Sequence, residues 1–191
     1  MTKKELLELV LDVADRAGVK VAIGGGVAVN TYGYRRDTAD VDAFFHESDR
    51  AKVLRALQKS IIPDLILDEL DQSHWIVVPE GNPADERIDL LFAVGDPEES
   101  AIEMAETRKY QGKEIPVFPI DLLVATKYLA AREDPKDALD IFTLWKKGAY
   151  DVGEIQERLR QMGFDEDAKD FPKLIEYLQK IPRKPGGRGS K

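Results

Sequence analysis

Val21-Ala-Ile-Gly-Gly-Gly-Val-Ala-Val-Asn-Thr-Tyr-Gly-Tyr-Arg-Arg-Asp-Thr-Ala-Asp-Val-Asp-Ala-Phe-Phe45 is the stretch on which the fold turns. It opens with an apolar run, residues 19–23, that reads as a strand. Gly24, Gly25 and Gly26 follow, and residues 26–33 read as a short helix closed by Gly33. Residues 39–45 then read as a second strand. Glycines let a backbone approach a ligand closely, and a helix start offers free N–H groups, so strand, glycines and helix together can seat a phosphate. A tight strand-to-helix turn explains the same three residues. No Gly-Lys-Ser/Thr follows, so this is not a Walker A loop, and the spacing is not that of a dinucleotide-binding turn.

Asp40-Val41-Asp42 is the second feature. Residues two apart in a strand share a face, so the two carboxylates lie side by side while Val41 and Ala43 point to the core. Adjacent anions repel unless a cation lies between them, and Mg²⁺ prefers carboxylate and phosphate oxygens. Two surface acids on a solvent-facing strand are the alternative. Asp89, in Glu86-Arg87-Ile88-Asp89-Leu90-Leu91-Phe92, is the third acid. It is costly to bury without a partner. Next to strand 39–45 it completes a cluster of three, and on an edge it is simply exposed.

Outward from this centre the pattern is mixed. Residues 3–17 read as a helix ended by Gly18, and Ser48 is placed to cap a helix over 49–59. Residues 74–79 and 87–93 read as a hairpin whose turn contains Gly81 and Pro83. Asp96-Pro97-Glu98-Glu99 starts a helix, and 114–118 reads as a short edge strand. Beyond Pro119 the pattern is helical: 120–132, 136–147, 152–162 and 170–180. The expected architecture is therefore α/β (α+β), a mixed sheet flanked by helices. A core over 1–118 is followed by a helical region over 119–180 and a basic tail over 181–191 with too little apolar content to order.

Composition bounds the chemistry. The chain has 191 residues, 43% hydrophobic and 34% charged, enough for one core without staples. With no cysteine, disulfides, thiolate nucleophiles and Cys-ligated metals are excluded, and two histidines cannot make a multi-His site. Net charge is −8, with Arg183, Lys184, Arg188 and Lys191 confined to the tail, so the body is more acidic than the whole. That argues against broad nucleic-acid binding. Neither a signal peptide nor a membrane-spanning run is legible, so a cytoplasmic protein is expected.

Taken together, these residues resemble the nucleotidyltransferase superfamily, with its polymerase-beta-like fold. The pattern there is a glycine pair, a short helix, Asp-hydrophobic-Asp and a later third acid. The chain is most similar to a minimal branch that includes AbiEii-type toxins. It has Gly25-Gly26-Val27-Ala28, then Arg36-Asp37-Thr38-Ala39-Asp40-Val41-Asp42, and further on Lys127, Arg132 and Lys136-Asp137-Ala138-Leu139-Asp140. The last segment reads equally as a charged helix face with a Lys136–Asp140 pair.

The resemblance implies a Mg²⁺-dependent enzyme that moves NMP from an NTP to a hydroxyl of tRNA, protein or a small molecule. A protein that binds nucleotide or a partner without turnover is the alternative. Asp40, Asp42 and Asp89 are implied to hold one or two Mg²⁺ ions, with Asp89 also a general base. Gly25 and Gly26 are implied to seat phosphates, and Arg36, Thr38, Lys127, Lys136 and Asp137 to contact nucleotide or acceptor. Arg36 reads as well as an ion-pair partner. Val27 stands where some members carry Ser or Thr, so backbone N–H groups must hold phosphate there. A toxin-like role further implies a cognate partner protein. Trp75, Trp145 and Tyr128 are candidates to stack on a base, though core positions suit them better.

Overall fold

The computed structural model describes residues 1–60, 65–79, 86–131 and 135–180. Gly81, Pro83, Arg132 and the tail 181–191 lie outside the described residues. The chain runs α1 (Lys3–Ala17), β1 (Ala22–Ile23), α2 (Gly25–Thr31), β2 (Asp40–His46), a 3-10 turn (Glu47–Asp49) and α3 (Arg50–Lys59). It continues with β3 (Leu65–Glu69), β4 (His74–Pro79), β5 (Arg87–Ala93), α4 (Glu98–Glu103), β6 (Glu106–Tyr110) and β7 (Lys113–Val117). Four helices follow: α5 (Ile120–Ala130), α6 (Pro135–Lys146), α7 (Val152–Gln161) and α8 (Asp165–Lys180).

The strands form one mixed sheet in the order β3-β4-β5-β2-β1-β7-β6. At its centre β2 and β5 are parallel, and their register sets Asp40 opposite Arg87 and Asp42 opposite Asp89. β1 is antiparallel to β2 and parallel to β7. The α1 helix begins with a Thr2/Glu5 capping box and buries Leu6, Leu7, Val10 and Val13. It packs on α3, β2 and β5. The α5 helix is apolar on nearly every side, and it contacts α2, α4, α6 and α7. One apolar cluster runs from α1 through the sheet to Phe171 and Ile175 of α8. No helix among the described residues is long and apolar enough to cross a membrane.

Several local expectations are corrected. The strand at 114–118 is not an edge: β6 pairs antiparallel outside β7, through a two-residue turn with positive φ at Gln111 and Gly112. Its sequence, Glu-Thr-Arg-Lys-Tyr, lacks apolar alternation because a charged edge strand needs none. Ser48 caps nothing, since it lies inside the 3-10 turn that precedes α3. The first strand is only two residues long. The last helix begins at Asp165 and runs through Pro172, which cannot donate to the Ala168 carbonyl. Gln156 Nε2 donates to that carbonyl instead, at 2.8 Å, so the helix starts five residues before the expected 170 and continues through Pro172.

Candidate active site

Three consecutive glycines let the turn between β1 and α2 close against its surroundings. A Cβ on Gly24 would lie 2.6 Å from the Phe44 ring, and one on Gly26 would lie 2.6 Å from Thr38 Oγ1. A Cβ on Gly25 would lie 1.7 Å from Asp42 Oδ2, and Gly25 has φ +51°. The Asp42 carboxylate therefore packs directly on the glycine turn, and no side chain but hydrogen fits at residue 25. Gly24 N–H also donates to the Asp42 carbonyl (2.9 Å), which carries the β1–β2 ladder into the turn.

The segment joining α2 to β2 is fixed from both ends. Asn30 Nδ2 donates to the Arg36 carbonyl (3.0 Å), and Arg36 N–H donates back to Asn30 Oδ1 (2.8 Å). This aims the Arg36 side chain at α6. There it makes a bidentate pair with Asp140, Nε to Oδ1 and Nη2 to Oδ2, both 2.8 Å. Lys127 of α5 pairs with the same carboxylate, Nζ to Oδ2 at 2.9 Å, and also with Asp137. Asp140 is 1% exposed. Of the two uses the sequence allows for Arg36, the structure shows the ion pair, and Asp140 is turned to Arg36 and Lys127.

Between these two constructions lies a cavity of about 320 Å³. Gly25, Gly26, Asp40 and Asp42 line it from the sheet side, with Arg36 and Thr38 beside them. Lys127, Lys136 and Asp137 line it from the helical side. Phe44 and Phe118, ring centroids 4.6 Å apart, add an apolar wall together with Leu123. Trp75, Trp145 and Tyr128 are not on it; Trp145 stacks on Phe142, and Tyr128 meets the edge of Phe171.

Asp89 is the one expected site residue off the cavity wall. It is 4% exposed and lies next to Asp42 in the ladder. Its carboxylate is approached by His74 Nε2 (3.1 Å) and by Arg87 Nε (3.2 and 3.3 Å). Arg87 Nε is also 3.3 Å from Asp40 Oδ1. The Asp42 carboxylate has no hydrogen bond or ion pair among the described residues. Burial and the charges of Asp89 and Asp40 push its pKa up to about 6. Burial likewise raises that of Asp40, against the pull of Arg87.

Sequence reasoning missed Arg87 and His74, and it read Asp140 only within the Lys136–Asp140 segment, not as the partner of Arg36. Arg87 stands two residues before Asp89, so strand period alone puts it on the same face. His74 and Asp140 carry no such local sign, since their partners lie 15 and 104 residues away. The donor set suits a divalent ion: three carboxylates drawn to one face of two paired strands, with a guanidinium already among them as the compensating cation. Among the described residues, no three Asp, Glu, His or Cys side chains are already grouped as ligands of one ion.

A mixed sheet whose paired acids sit against a glycine turn on one wall of a cavity, with lysines on the other, is the arrangement of a nucleotidyltransferase type of protein. Residues 3–176 match the family described as "Nucleotidyl transferase of unknown function (DUF2204)", and the chain belongs to that family. The fold is shared with the solution structure of the antibiotic-resistance factor ANT(2'')-Ia, with TM-score 0.56 and 18% identity over 92% of this chain and 90% of that one. ANT(2'')-Ia in complex with adenylyl-2''-tobramycin has TM-score 0.53 and 15% identity, over 94% and 98%. An antigenic nucleotidyltransferase-like protein from Paracoccidioides brasiliensis has TM-score 0.55 and 17% identity, over 91% of each chain. No curated protein sequence matches the chain.

Proposed function

We propose that this protein transfers a nucleoside monophosphate from an NTP to a hydroxyl group, within the cavity between β2 and α5–α6. The observation that carries the reading is the meeting of Asp40, Asp42 and the glycine turn with Lys127 and Lys136 across one cavity. The N–H groups of Gly25 and Gly26 and the lysine side would hold the phosphates. The Phe44–Phe118 wall suits the flat face of a base. Asp40, Asp42 and Asp89 would hold Mg²⁺, which when bound neutralises triphosphate charge and acidifies the acceptor hydroxyl. Asp89, held by His74, is the candidate base for that proton.

For the acceptor, the fold shared with ANT(2'')-Ia, solved with adenylyl-2''-tobramycin, supports a small hydroxyl compound. The acidic chain favours it over an extended phosphodiester. A toxin-like protein acting on tRNA or protein, with a cognate partner, is the narrower form, supported by the Arg36–Asp42 and Lys127–Asp140 segments alone. Arg87 favours one further reading, nucleotide binding without turnover, because it already supplies a cation to Asp40 and Asp89.

Incubation with each α-labelled NTP and Mg²⁺, with and without candidate acceptors, separates these readings. Label transfer and pyrophosphate release are expected from wild type, falling by about 100-fold or more in Asp42→Asn. Metal-dependent NTP binding without pyrophosphate would leave only the non-catalytic reading. Transfer persisting in the Asp40→Ala/Asp42→Ala double variant would remove the assigned roles.

A further inference from the structure

Four charged side chains share one face of the β2–β5 ladder, and only one of them is a cation. Arg87 faces Asp40 and Asp89 faces Asp42 across the register. The Arg87 contacts, 3.2–3.3 Å from a single Nε to both carboxylates, are long for charge-assisted bonds. The bidentate Arg36–Asp140 pair, at 2.8 Å twice, shows what a committed guanidinium does in this same molecule. The Arg87 side chain is also 41% exposed, against 24% for Arg36. It can turn outward into water without disturbing the core.

We propose that Arg87 is a built-in, displaceable cation that neutralises Asp40 and Asp89 in the metal-free protein and competes with the divalent ion for the same oxygens. The inference rests on the reading of these acids as metal-holding. In the metal-free protein three carboxylates crowd one sheet face, and without a cation among them their repulsion strains the centre of the sheet. A compact divalent ion carries twice the charge of a guanidinium and takes the same hard oxygens. Loading the ion therefore requires Arg87 to leave Asp40 and Asp89, and the difference between the two interactions sets the ion concentration at which the site fills. Arg87 is a positioning residue in this scheme. It suppresses loading at low ion concentration and keeps the empty protein stable.

The test uses Mn²⁺ alone, without nucleotide, and the full chain. Calorimetric titration compares wild type with Arg87→Gln, Arg87→Met and Arg87→Lys. Both neutral variants are expected to bind Mn²⁺ about tenfold more tightly than wild type, and Arg87→Lys to return close to wild type. In metal-free buffer the neutral variants should melt several degrees lower than wild type, and Mn²⁺ should raise their melting temperature by more. A merely structural role predicts the opposite sign, weaker Mn²⁺ binding when the residue is lost. Unchanged or weaker binding in both neutral variants overturns the proposal, as does absence of Mn²⁺ binding in all four proteins. If wild type still releases pyrophosphate from NTP in that case, nucleotidyl transfer stands and only the role of Arg87 falls.

Discussion

Two clusters of charge face each other across the same cavity, and they are built on opposite principles. On the helical side, Arg36 and Lys127 meet Asp137 and Asp140, two cations for two anions, with bidentate geometry and with Asp140 and Lys127 buried. On the sheet side, Asp40, Asp42 and Asp89 have Arg87 at long distance and His74 at 3.1 Å, and Asp42 has no such partner. The first cluster is complete in the protein as it stands. It ties the segment before β2 to α5 and α6. The second lacks positive charge, and the raised pKa of Asp42 expresses that lack. A balanced buried network holds structure, and a charge-deficient one nearby is where a cationic ligand gains most.

The largest effect is expected from removing the hub of the balanced side. Asp140→Ala leaves the buried Lys127 and the half-buried Arg36 without their shared anion, and a loss of about 3 kcal/mol is expected in chemical denaturation. A loss under about 1 kcal/mol would mean that the helical network is not structural. On the sheet side, Gly25→Ala drives a methyl group into the Asp42 carboxylate at a positive-φ position. A loss of roughly 2–3 kcal/mol is expected, together with loss of NTP binding. Stability retained with binding lost would place the glycine's importance in the ligand rather than in the turn.

The charge deficit also has a pH signature. The native state raises the Asp42 pKa from its ordinary value to about 6, so folded protein holds a proton that unfolded chain releases. Relative to Asp42→Asn, metal-free wild type should gain stability as pH falls from about 6 toward 4, by about 1–2 kcal/mol. Melting curves of the two proteins across that range measure it, and parallel curves would show that Asp42 is not crowded. The smallest effect lies away from both clusters. Gln156→Ala removes the donor that satisfies the carbonyl orphaned by Pro172, and about 1 kcal/mol is expected.

What the sequence made legible follows from the range of the interactions. The glycine turn and Asp40-Val41-Asp42 are read locally, because turn chemistry and strand period act over two or three residues. Asp89 could be placed on a strand but not beside Asp42, since the β2–β5 register joins segments 47 residues apart. The short strand β6 escaped because its Glu-Thr-Arg-Lys-Tyr sequence, on an exposed edge, carries little apolar pattern. The first turn of α8, ahead of Pro172, was not legible because the donor that compensates for the proline comes from another helix. The opposed character of the two charge clusters was hidden for the same reason: the Lys127–Asp140 segment shows its charges but not that Arg36 balances them.

The most direct test is the melting temperature of wild type and Asp42→Asn with and without Mg²⁺ and NTP. If the charge-deficient sheet face is where nucleotide and metal bind, Mg²⁺ with NTP raises the wild-type melting temperature by several degrees and leaves Asp42→Asn unmoved. An equal rise in both proteins would contradict it.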